Sequence, residues 1–299
     1  MRYGVIDFGT NTLRLNVYEC DGAGYAEIYD QAVFSRVVEN TENGALSQDG
    51  IERVIQGIEE LLLAAKHFRC DRTECFSTAS LRFISNAEDV AEQIAFRTGV
   101  RVRRISGEEE ARYDYLALRG ASHAESGVGC DLGGGSFQLF TFDKKGPVLS
   151  HSFPLGSSRM ARFHVSGQIP TEEERQAICG EVSDVVSSFG FGRPGGALLC
   201  MGGTAKAALR FCKRTIVKIG HGDSGASVLL SDLKAVISTL ISAPEESVEL
   251  LSSIEPERVS TLIPGMAVLS AIAETLGCGR LEIYSAGVRE GFLEEILNR

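Results

Sequence analysis

Asp7-Phe8-Gly9-Thr10-Asn11-Thr12-Leu13-Arg14-Leu15 and Asp131-Leu132-Gly133-Gly134-Gly135-Ser136-Phe137-Gln138-Leu139 are the two stretches that decide the fold. Laid side by side they match at Asp, Gly, a hydroxyl and Leu, and each follows an apolar strand-like run. One Asp-x-Gly turn would be weak evidence, because most such turns are plain hairpins. Two copies at equal offsets are a duplication, and a duplicated strand-turn-strand implies two similar lobes facing one another. Glycines at the turns let backbone amides point into a shared concavity, which suits phosphate oxygens. Thr10, Thr12 and Ser136 add hydroxyl donors. Asp7 and Asp131, at the strand ends, are placed to hold a divalent cation directly or through water. A third glycine turn, Gly202-Gly203-Thr204, strengthens the phosphate reading, although a plain strand-to-helix turn competes for it.

Outward from these stretches, strand-like and helix-like runs alternate, which is the pattern of an α/β protein. Ile51, Val54, Ile55, Ile58, Leu61, Leu62 and Ala65 recur at helical spacing with one buried face. Asn86 is expected to cap a helix ending near Gly99, and Arg101 to Ile105 to form a strand. Ser106-Gly107-Glu108-Glu109 and Thr171 with Glu174 both fit capping boxes. The small, polar composition around 121–127 is taken as the domain boundary. That gives lobes over 1–123 and 124–286, with a closing helix at 287–299 packing back on the first. Val128 to Asp131, Phe137 to Phe142, Ala197 to Met201 and Leu281 to Ser285 read as further strands.

The formal net charge is -10. An acidic balance disfavours non-specific nucleic-acid binding, which relies on a broad basic field, so a polyanionic substrate has to be held by local positive features. Arg101, Arg103 and Arg104 form one such cluster, and Lys206, Arg210, Lys213 and Arg214 another; solvated edges account for both equally well. The eight cysteines are scattered, without Cys-x-x-Cys pairs, and Cys20, Cys130 and Cys200 read as small buried hydrophobes. With no signal-peptide pattern and no apolar run long enough to span a bilayer, a cytoplasmic location and no membrane partner are expected.

The runs GVIDFGTNTLRL (4–15), STASLRFISN (77–86), ISGEEEARYDYLA (105–117), DLGGGSFQL (131–139), FPLGSSRM (153–160), GGTAKAAL (202–209) and AGVREGFL (286–293) stand in the order and approximate spacing of one family. The chain resembles the exopolyphosphatase/guanosine-pentaphosphate phosphatase (Ppx/GppA) family of the actin, heat-shock-70 and sugar-kinase superfamily. The resemblance implies two ribonuclease-H-like lobes with a phosphate-binding cleft between them. It also implies magnesium-assisted hydrolysis of a terminal phosphoanhydride in polyphosphate or guanosine pentaphosphate. The family's general base falls on Glu110; without the resemblance, an exposed acid that merely favours the helix dipole is the better account. Arg82 aligns with the phosphate-contacting arginine, whose guanidinium can bind two oxygens at once. The phosphate set so implied is Gly9, Thr10, Asn11, Thr12, Arg14, Gly133, Gly134, Gly135, Ser136, Gly203 and Thr204, with Asp7, Asp131 and Gln138 at the metal. Arg14 sits on a strand face that points into the cleft or away from it, and Arg159 serves as a phosphate contact or a structural partner.

One departure bears on mechanism. Where the family carries a metal-binding glutamate, this chain has Gln138, and a neutral amide removes one negative charge from a hard-cation site. The alternative to a hydrolase is therefore a sensor module that binds a guanosine polyphosphate without turning it over. The sequence leaves room for a homodimer.

Overall fold

The computed structural model describes residues 1–21, 24–215, 220–221 and 226–298, and these fall into two compact units, Met1–Gly107 and Glu108–Arg299. In the first, β1 (Arg2–Phe8), β2 (Thr12–Asp21) and β3 (Gly24–Phe34) run as an antiparallel meander. A ribbon of β4 (Thr41–Glu42) and β5 (Ala45–Leu46) precedes α1 (Gln48–His67), which Ser47 caps by accepting the Gly50 amide. Then come β6 (Arg72–Ser77), α2 (Ala79–Arg82), α3 (Ala87–Thr98) and β7 (Val102–Arg104). The sheet order is β3-β2-β1-β6-β7, with β1, β6 and β7 parallel. The apolar stripe of α1 packs as its spacing requires: Ile51, Val54, Ile55, Ile58, Leu61 and Ala65 are buried against Leu13, Leu15 and Val17 of the sheet.

The second unit opens with α4 (Gly107–Ala121) and repeats the plan. β8 (Gly127–Leu132), β9 (Phe137–Asp143) and β10 (Gly146–Phe153) form the meander, followed by α5 (Ser157–His164) and α6 (Glu172–Phe189). β11 (Ala197–Met201), α7 (Gly202–Arg214), β12 (Gly220–His221) and β13 (Ala226–Leu229) come next. α8 (Leu230–Ser242), α9 (Pro244–Ile254), α10 (Leu262–Thr275), β14 (Arg280–Ile283) and α11 (Val288–Leu297) complete it. The order β10-β9-β8-β11-β14-β13-β12 begins with the same five-strand sequence of orientations as the first sheet. Two similar sheets from one chain are what the duplication predicts, and their ribonuclease-H-like order is what the family resemblance implies. α10 is buried on all sides from Leu262 to Ala273, as an uninterrupted apolar helix must be, and centres the second core.

Two readings shift. The units divide at Gly107/Glu108, so α4 groups with the second unit instead of ending the first. α11 packs on α4, within 1–123 as expected: Gly291 lets it meet the α4 backbone, where a Cβ would fall 2.5 Å from the Tyr113 carbonyl carbon. Asn86 precedes α3 without capping it, because its amide is spent on both backbone groups of Leu46, at 2.9 Å each. The box at Thr171 and Glu174 is present in full. All eight cysteines are free thiols, and those at 20, 130 and 200 are buried. No helix among the described residues is long and apolar enough to cross a membrane.

Candidate active site

Each unit carries its glycine turn at the end of its first strand. The Gly9 amide donates to the Thr12 carbonyl at 3.0 Å, and the Gly133 amide to the Ser136 carbonyl at 3.0 Å. Asp7 faces Arg14 across the first hairpin and Asp131 faces Gln138 across the second, so the repeat holds residue by residue.

The segment after the third strand fixes the polarity of each turn. In the first unit the Asn11 carbonyl accepts from the amides of Ser35 (2.9 Å) and Arg36 (3.2 Å), and that of Thr10 from Val37 (2.7 Å). The Ser35 hydroxyl takes the Gly9 carbonyl at 3.0 Å. In the second unit Ser157 binds the Gly133 carbonyl through its amide (3.0 Å) and its hydroxyl (3.3 Å). Ser158 and Arg159 bind that of Gly134 through their amides, at 2.9 and 3.0 Å. In a trans peptide the N–H points opposite to the C=O. Pinning these carbonyls therefore turns the amides of Thr10, Asn11, Thr12, Gly134 and Gly135 the other way, which makes two anion-receptive nests. Gly156 is what lets α5 approach: a Cβ there would lie 2.5 Å from the Gly134 carbonyl. The sequence reading missed Ser35; a serine just past β3, matching Ser157 past β10, was the available signal.

Arg82 donates to the Ile105 carbonyl at 3.2 Å and lies over the Phe83 ring. Arg14 pairs with Asp30 at 3.3 Å. Thr204 is buried, its hydroxyl 3.1 Å from that of Ser157, and so ties α7 to α5. Gly203 lies beneath Arg258, whose Nη2 would be 2.7 Å from a Cβ there. Of the basic cluster on α7, Arg210 is consumed in a bidentate pair with the buried Glu255 (2.6 and 2.8 Å). Lys206 turns to the strand ends, donating to the Ser285 carbonyl at 2.5 Å.

Glu110 is 5% exposed, so it is not the solvent-facing acid that a pure helix-dipole role requires. One helical turn on, Asp114 is completely buried beside Asp131. Sequence reasoning missed Asp114, although an acid four residues after Glu110 on the apolar face of α4 marks it. Burial pushes the Asp131 carboxyl up; the adjacent Asp114 and the charges of Lys206 and Arg289 pull it down, and Glu290 raises it again.

This donor set fits a hard dication poorly. Asp131 lies in the field of Lys206 and Arg289, with Glu290 opposing them. Gln138 is 2% exposed and turns its amide nitrogen to two hydroxyls, Ser136 at 3.1 Å and Ser152 at 3.0 Å. Magnesium prefers six oxygens in near-octahedral array. Among the described residues no group of three or more His, Cys, Asp or Glu is placed to share an ion.

Duplicated sheets, each ending its first strand in a glycine turn, define a protein of the actin-like fold class. The chain belongs to the Ppx/GppA phosphatase family, whose model matches residues 33–299. The first turn precedes that stretch, so its assignment rests on the internal repeat. The chain is 26% identical over 312 residues to exopolyphosphatase 1 of Mycobacterium leprae, covering 98% of this chain and 88% of that protein. It is equally similar to exopolyphosphatase 1 of Mycobacterium tuberculosis H37Rv, at 26% identity and with 87% of that protein covered. The fold matches the crystal structure of the Aquifex aeolicus family member (TM-score 0.80, 24% identity, 100% of this chain and 98% of that one). It also matches a Cytophaga hutchinsonii exopolyphosphatase (TM-score 0.84, 18% identity, 100% and 98%).

Proposed function

We propose that the protein is a phosphohydrolase that removes the terminal phosphate of inorganic polyphosphate or guanosine pentaphosphate. The observation that carries this reading is the pair of turns whose carbonyls are pinned away and whose amides are left to an anion; family membership and similarity to exopolyphosphatases support it. In the reaction water attacks phosphorus, the P–O bond to the rest of the chain breaks, and the proton lost by water passes to Glu110. A positioned base of this kind contributes about 10²–10⁴ in rate. Arg82 is assigned to charge that develops on the transferred phosphoryl group, where positioning and electrostatics supply most of the acceleration.

Phosphate release from tripolyphosphate, long-chain polyphosphate and guanosine pentaphosphate tests the proposal. Glu110→Gln should lower turnover by at least about 10² while leaving substrate binding largely intact. Gln138 favours one rival, a guanosine-polyphosphate sensor without turnover. Saturable binding with no phosphate released from any of the three would establish the sensor and remove the hydrolase.

A further inference from the structure

Gln138 stands where the family's metal-binding glutamate is expected, and its bonds show what the exchange does. An amide nitrogen only donates, so Ser136 Oγ and Ser152 Oγ act as acceptors toward it at 3.1 and 3.0 Å. A glutamate there could only accept, and both serine protons would turn inward to it. With Gln138 the Ser136 proton is left for another acceptor, at the turn where the Gly134 and Gly135 amides also face away from their pinned carbonyls. Above the same strand ends lies Lys206, anchored on the Ser285 carbonyl at 2.5 Å. In an open α/β sheet ligands bind outside the carboxyl ends of the parallel strands. β8, β11 and β14 end here, at Leu132, Met201 and Ile283.

We propose that the second turn of this chain takes a phosphoryl group without a divalent cation, the Lys206 ammonium and the Gln138-oriented hydroxyl of Ser136 meeting the charge that a metal would otherwise carry. The inference deepens the phosphohydrolase reading and rests on it for the ligand class.

The test is calorimetric titration of the EDTA-stripped full-length protein with inorganic tripolyphosphate, alongside titration with Mn2+ followed by electron paramagnetic resonance. The wild type should bind tripolyphosphate saturably in EDTA and show no Mn2+ site in its absence. Lys206→Met should weaken the metal-free binding about tenfold or more, the worth of one charge-assisted hydrogen bond. Gln138→Glu should lose metal-free affinity by a similar factor and gain a Mn2+ site. Circular dichroism checks that each variant is folded, and the wild type and Lys206→Met decide the matter if Gln138→Glu is not. Tripolyphosphate binding that appears only with Mg2+, or a wild-type Mn2+ site abolished by Asp131→Asn, overturns the proposal. Phosphate release in Mg2+ is scored separately: release with those results sinks this inference alone, and metal-free binding without release sinks the hydrolase alone.

Discussion

Gly202 shows most sharply what a single position in the site tolerates. Its φ of +88° lies in the left-handed region. A Cβ would fall on Asp131 Oδ1 and within 2.7 Å of the Leu132 carbonyl. Gly202→Ala should therefore cost about 2 kcal/mol or more in urea unfolding and displace the Asp131 carboxyl. The glycine was legible in the sequence; the reason for it was not, since the collision comes from a strand 70 residues earlier. Gln138 is the opposite case. Its departure from the expected acid was visible, but the two serines that give the amide its role come together only by strand pairing. Ser152 faces Gln138 across β9 and β10.

At the scale of elements, local rules read well where the chain serves its own backbone. The Thr171 box opens α6 as its spacing demands, and Thr171→Ala should lower stability by about 1 kcal/mol, measured by thermal unfolding. The acids of that first turn add a pH signature. The bond from the Thr171 amide holds the Glu174 carboxyl below its ordinary value, and hydrogen bonds from Arg175 and Gln176 hold Glu172 at about 2. Both are depressed, so their contribution is present above the unfolded carboxylate range, near pH 4.3, and lost as pH falls toward about 2. Glu174→Gln should therefore be less stable than wild type at neutral pH and close to it near pH 2; the gap is small because both acids are partly open to solvent. A gap that persists at low pH would contradict this assignment. Asn86 marks where such rules fail: a capping residue followed by a good helix was drawn off by the ribbon at Leu46.

For the whole molecule, the duplication was readable from nine residues per copy, while the strand order came only with the structure. The boundary was less accessible, because α4 joins the second unit through side chains spread along it: Ala111, Tyr115 and Leu118 pack with Phe140, Leu199 and Tyr284. Each unit has its own core, so calorimetry should resolve more than one transition, with a van't Hoff enthalpy below the calorimetric one. Ile58→Ala should lower the transition of the first unit and Ile272→Ala that of the second, each by about 2–5 kcal/mol. A single transition moved equally by both changes would show one cooperative unit.

The pinned carbonyls have a consequence for isotope exchange. The amides of Thr10, Asn11, Thr12, Gly134 and Gly135 face away from the bonds that hold their turns, so solvent deuterium should reach them quickly in the free protein. A bound phosphoryl group would slow that exchange at five named positions in an otherwise unchanged backbone. Those amides thus report occupancy of each turn separately, without any turnover.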